Sequence, residues 1–151
     1  MRIYHIHSIE QEFAYFFYGR ESKFLSLFQH YRRASDWMKP HIEKQITAVT
    51  KPLFFFTIER LLQQHGSFSI QPQTQLPTYE LKGKDHEVEA IVEFHPRQLV
   101  LKVMRGRYKE LVLFELLRKL DEHLLVVDWE YEQVGWVKPI KEKTTFYHEK
   151  I

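Results

Sequence analysis

The sequence predicts an α+β fold, a single domain whose helical N-terminal half packs on a mainly antiparallel sheet. Three observations predict it. Apolar residues alternate with a period of two at the start of the chain, over residues 2–9. They then recur at spacings of three and four as far as residue 64, and return to a period of two beyond Gly66. No linker, internal repeat or low-complexity tract divides the 151 residues, a length that suits one core.

The elements follow in order. In residues 2–9, Ile3, His5, His7 and Ile9 share one strand face, and Tyr4, Ile6 and Ser8 the other. Residues 10–18 read as a short helix stopped at Gly19. The next helix begins near Ser22, whose hydroxyl is a candidate cap. It carries Phe24, Leu27, Phe28 and Tyr31 as one amphipathic stripe. Ser35-Asp36 interrupts that pattern, and Pro40 opens a third helix over 40–49 with Ile42, Ile46 and Val49 on one stripe. Gln45 takes a place on that stripe where an apolar residue is expected. Thr50-Lys51-Pro52 reads as the start of a fourth helix carrying Phe54, Ile58 and Leu61, ended by His65-Gly66.

Residues 67–83 hold short strands broken by Pro72 and Pro77. Val88, Ala90, Val92 and Phe94 alternate with Glu87, Glu89 and Glu93, and Leu99, Leu101 and Val103 alternate in the next run. Pro96-Arg97 joins the two as a hairpin. Lys109–Leu120 returns to helix, with Leu113, Leu116, Leu117 and Leu120 in register. Leu124–Tyr131 reads as a strand with Val127, Trp129 and Tyr131 on one face. Gln133-Val-Gly135 reads as a turn into Trp136-Val137, and Pro139 ends that segment. The charged stretch Lys141–Ile151 is expected to fray over about its last ten residues.

Composition narrows the function classes. A hydrophobic fraction of 44% and an aromatic fraction of 15% belong to a chain that folds. Lys and Arg number 22 against 20 Asp and Glu, so no basic stripe of the kind nucleic-acid binders carry stands out. The absence of cysteine excludes disulfides and thiolate metal sites and suits a reducing compartment. No apolar run reaches membrane-spanning length and Met1–His7 lacks a signal-peptide core, so a cytoplasmic protein is expected.

Chemistry has few footholds. Asp128, Glu130 and Glu132 share a strand face, and paired carboxylates can act as acid and base on a sugar, but they also form the polar half of an alternating strand. His5 and His7 have a spacing that two zinc ligands can use, yet no downstream H-x-x-x-H or H-x-x-E completes a site. The nine histidines therefore read as surface and core residues, with no metal or cofactor expected. No glycine-rich phosphate cradle or nucleophile elbow is present. Arg105-Gly-Arg107-Tyr-Lys109 and the lysines from Lys138 to Lys143 could touch a phosphate backbone, and they carry the alternative of a direct nucleic-acid binder.

The densest feature is the first helix, where five of the six residues from Phe13 to Tyr18 are aromatic. At about 100° per residue, Phe13, Phe16 and Phe17 group on one face and Ala14, Tyr15 and Tyr18 on the opposite one. Either the helix is sandwiched inside the fold, or one aromatic face is exposed for a partner. Gln45 has the same two readings, a buried amide or a polar contact within an apolar binding face.

A set of short blocks spans most of the chain in order: Glu12-Phe13-Ala14, Gly19-Arg20-Glu21-Ser22, Leu27-Phe28-Gln29 with Tyr31, Glu43-Lys44-Gln45-Ile46, Thr50 with Pro52, and Gly135-Trp136-Val137-Lys138-Pro139-Ile140-Lys141-Glu142. In these blocks the chain resembles the SirA family, sporulation inhibitors of replication from endospore-forming bacteria. Residues 64–134 fit by length and pattern. The resemblance implies an inhibitor without catalysis that binds the N-terminal domain of the replication initiator DnaA. It implies no small-molecule substrate, no membrane and no direct nucleic-acid contact. The family's contact surface includes an aromatic pair on the first helix and a downstream glutamine, which fall on Phe13, Phe17 and Gln45. The second aromatic is commonly a tyrosine, and here it is Phe17. Phe13 and Phe17 are thus assigned to the partner, Ala14, Tyr15 and Tyr18 to the domain's own core, and Phe16 stands between as a possible additional contact.

Overall fold

The computed structural model describes residues 1–65, 68–70, 77–83, 85–104, 107–120 and 123–140. The elements run β1 (Arg2–Ile9), α1 (Gln11–Phe16), α2 (Ser22–Arg33), α3 (Lys39–Val49), β2 (Thr50–Lys51), α4 (Phe55–His65), β3 (Phe68–Ile70), β4 (Thr78–Lys82), β5 (Val88–His95), β6 (Gln98–Val103), α5 (Arg107–Leu117), β7 (Leu124–Asp128) and β8 (Gln133–Trp136). They form an α+β domain on one sheet of order β3-β4-β5-β6-β1-β7-β8, with β2 attached to the end of β1. All of these pairings are antiparallel.

The first strand is the spine of the sheet. Ile6 of β1 lies opposite Leu99 of β6 on one side and Val126 of β7 on the other. Because side chains alternate along a strand, the sheet feeds two cores. Tyr4, Ile6, Leu99 and Leu124 pack beneath α4 and α5 through Ile58, Leu62, Leu113 and Leu117. Ile9, Leu125 and Val127 point the other way and receive Ala14 of α1 with Phe24 and Phe28 of α2. The β5–β6 hairpin and the stripe of α2 form where alternation and helical spacing place them.

Five local expectations are corrected. Thr50-Lys51 begins no helix; it pairs with Ser8-Ile9 as β2, and α4 starts only at Phe55. The residue before a proline is driven to extended backbone, and Lys51 precedes Pro52. Strand β7 stops at Asp128, whose carboxylate accepts the N–H groups of Glu130 (3.1 Å) and Tyr131 (3.4 Å) and closes a turn. Gln133–Trp136, expected to begin as a turn, is therefore strand β8, and Asp128, Glu130 and Glu132 share no strand face. Ser22 is the first residue of α2 rather than its cap, a position Glu21 takes without a side-chain capping bond. Helix α1 ends at Phe16, two residues earlier than its aromatic run. The expected helix stop at Gly66, the break at Pro72 and the frayed tail lie outside the described residues.

Gly19 turns the chain from α1 into α2 with φ +81°, and no atom lies within 4 Å of where a Cβ would sit. A Gly19→Ala chain therefore pays only for left-handed backbone, roughly 1 kcal/mol. A denaturant titration checks this; a midpoint equal to that of the native chain would show that the turn does not need the positive φ.

Candidate functional site

The short length of α1 decides how its aromatics face. Ala14 is wholly buried, whereas Phe13, Tyr15 and Phe17 are half-buried against the second core. Tyr15 meets the His123 ring edge-on at 5.2 Å. Phe17, the residue that caps the helix, sets its ring edge-on to Phe24 at 5.3 Å. The expectation that Phe13 and Phe17 are left open on a free face is corrected to this extent: each gives part of its ring to the core and keeps part at the surface. Phe16, the residue that stood between, is 65% exposed, and Tyr18, expected inward, is 46% exposed. Past Phe16 the helical rotation no longer applies, so Tyr18 falls on neither helix face.

Arg20 closes this end of the helix. Its Nη2 donates to the Phe16 carbonyl at 2.9 Å, and its guanidinium lies 5.3 Å from the Phe16 ring centre and 5.6 Å from that of Phe17. A cation over two aromatic faces holds both rings in place at modest energy. Arg20 and Tyr18 join the surface in the structure; the only sequence signal for them was their place beside Gly19, where a turn exposes its neighbours.

Gln45 is exposed on α3, a helix with no buried residue. Its amide makes no hydrogen bond among the described residues. The next residue, Ile46, and Val49 one turn on contribute to the same core cluster as Phe13 and Phe17. The Glu10 N–H donates to the Val49 carbonyl at 2.9 Å, tying the start of α1 to the end of α3. Phe13 and Phe16 thus lie on α1, Phe17 at its C-terminal cap and Gln45 on α3, with the start of α1 hydrogen-bonded to the end of α3. Such a surface offers aromatic anchors and one adaptable amide, the ingredients of protein recognition.

The other candidates fall elsewhere. Asp128 is buried and committed to structure, accepting Arg2 Nε at 3.1 Å besides its two turn amides. His5 is bonded through Nδ1 to Gln98 Oε1 at 3.0 Å, and His7 stacks on Phe28 at 4.2 Å between ring centres. Burial pushes the pKa of His7 down to about 3 and lowers that of His5, so both rings are neutral at pH 7. Among the described residues no group of three or more His, Cys, Asp or Glu is placed to hold a metal ion. The side chains of Arg105–Lys109 and the tail from Lys141 lie outside the described residues. Among the described residues no helix is long and apolar enough to cross a membrane.

The chain is similar to known proteins along nearly its whole length. The family model described as "Sporulation inhibitor of replication protein SirA" matches residues 2–141. The chain is also 30% identical over 148 residues to the sporulation inhibitor of replication protein SirA of Bacillus subtilis (strain 168), a match covering 94% of this chain and 97% of that protein.

Proposed function

The chain belongs to the SirA family of sporulation inhibitors of replication, and from that premise we propose that it acts by binding the N-terminal domain of the replication initiator DnaA through the surface shared by α1 and α3. One observation carries the reading. Phe13 on α1 and Phe17 at its C-terminal cap are only half-buried, and Gln45 of α3 holds an exposed amide without a hydrogen-bond partner among the described residues, with the start of α1 bonded to the end of α3 through Glu10 and Val49. A helix face with aromatic anchors laid against a small domain is a common mode of recognition. Occupying that domain blocks its contacts at the origin without any catalytic step.

Half-buried aromatics have only part of their area left for a partner. Phe13→Ala is therefore expected to weaken binding about tenfold, near the lower end of what burying a whole aromatic ring gives. Gln45→Ala removes hydrogen bonds and not packing, and should weaken binding roughly two- to tenfold. Calorimetric titration with the purified initiator domain measures both. Because Gln45 is exposed, its variant separates binding from folding. A native chain that does not bind the domain, or a folded Phe13→Ala, Gln45→Ala double variant that binds as tightly as the native chain, would overturn the reading.

A further inference from the structure

A second site shares α3 with that surface but none of its proposed contact residues. A cavity of about 670 Å³ opens between β1, α2, α3 and the β5–β6 turn, and none of Phe13, Phe16, Phe17 or Gln45 lines it. That volume is in the range of small-molecule sites. Its walls have three distinct chemistries.

The first is cationic. Arg97 is clamped through Nη1, which donates to the Thr50 carbonyl at 3.1 Å and to Thr50 Oγ1 at 3.2 Å. Its Nε and Nη2 have no partner among the described residues, so a fixed guanidinium presents free donors. Arg32 lies 4.3 Å from the Trp129 ring centre and forms no ion pair among the described residues. Against these two cations the lining sets one carboxylate, Glu43. The second chemistry is aromatic, a wall made by Tyr31 and Trp129. The third is a pair of polar edges. The Gln98 side-chain oxygen accepts from His5 Nδ1, leaving its amide nitrogen without a partner among the described residues. The His7 ring, held flat against Phe28, makes no hydrogen bond among the described residues while lining the cavity.

We propose that this cavity is a binding site for a mononucleotide, with the phosphate on Arg97 and Arg32, the base along the Tyr31–Trp129 wall, and its polar edge on Gln98 and His7. An anion without a ring leaves the aromatic wall uncovered. A flat anion without polar edges leaves the Gln98 amide and His7 unpaired in a partly enclosed space, which costs binding energy. A mononucleotide supplies all three features at the size of the cavity. Planar guanidinium forks suit phosphate oxygens better than any other side chain.

The purified full chain is titrated with AMP, GMP, CMP and UMP by calorimetry, with adenosine and inorganic phosphate as the separate halves. At least one nucleotide is expected to bind saturably, and more tightly than either half. Arg32→Gln and Arg97→Gln should each weaken it roughly ten- to a hundredfold, the loss of a charge-assisted hydrogen bond. Arg97→Gln also releases Thr50, so its unfolding curve is recorded; Arg32 is exposed, and its variant decides the question if Arg97→Gln does not fold. Any of three results overturns the proposal: no saturable binding of any of the nucleotides, phosphate alone binding as tightly as the nucleotide, or nucleotide affinity unchanged in Arg32→Gln.

Discussion

Phe24→Ala is expected to destabilise the chain by about 3–5 kcal/mol, the cost of emptying a fully packed aromatic site. Phe24 is 2% exposed. It is also the ring through which three separate elements meet: Phe17 approaches edge-on at 5.3 Å from the end of α1, and Trp136 of β8 edge-on at 6.0 Å. Trp136 in turn donates from Nε1 to Glu21 Oε1 at 3.1 Å, the carboxylate that also accepts the Gly19 N–H. Truncating Phe24 therefore leaves a cavity and removes two aromatic pairs, each worth roughly 0.5–1.5 kcal/mol within that sum. Set against a typical total of about 5–15 kcal/mol, the change consumes a large share of the stability. Denaturant unfolding followed by circular dichroism measures it. A loss below about 1 kcal/mol would mean that the site collapses around the missing ring and that Phe24 does not anchor the helices to the sheet.

Acid is expected to destabilise the fold through His7. In the folded chain its pKa is about 3, set chiefly by burial and then by repulsion from His5. In the unfolded chain it is about 6.5. Below that value the unfolded chain takes up a proton that the folded chain refuses, so stability is full above about pH 6.5 and falls as pH drops toward about 3. Each pH unit in this window costs about 1.4 kcal/mol, so moving from about pH 7.5 to about pH 4.5 costs roughly 2–3 kcal/mol from this ring. The lowered pKa of His5 acts in the same direction. The Glu93 carboxyl, held below its usual range by hydrogen bonds from Lys102 and His95, also loses its contribution as pH falls. His7→Gln should flatten the slope by about one proton, read from unfolding free energies across that range. An unchanged slope would show that His7 titrates freely in the folded chain.

Much of the fold was legible along the chain because local pattern and tertiary demand agree. The alternation of residues 2–9 matches β1 end to end, since that strand is packed on both faces and its period is fixed by the pleat. The stripe Phe24, Leu27, Phe28, Tyr31 marks α2 for the same reason. Where a single side chain or a long-range pairing decides, the pattern fails. Asp128 ends β7 by capping a turn, and Thr50 is drawn into the sheet by Ile9, some forty residues away in sequence. The candidate site was legible in part. Spacing groups Phe13, Phe16 and Phe17 on one face and marks Gln45 as out of place on its apolar stripe, the family resemblance assigns Phe13, Phe17 and Gln45 to a partner, and neither tells how far each faces outward.

What the sequence by itself determined is the α+β class, the order of its principal elements, the family to which the motifs belong, and the crowding of aromatics into one short segment. All of these depend on spacing and composition, which are local properties. Tertiary structure alone decided the division of labour within that segment. Phe17 is drawn partly inward because Phe24, itself packed edge-on to Trp136, offers it a buried partner, while Phe16 and Tyr18 are left outside where the helix gives way to the turn at Gly19. Tertiary structure also brought Arg32, Arg97, Gln98 and Trp129 around one cavity from distant parts of the chain. Burial is a property of what packs against a residue, and no spacing within a helix records that.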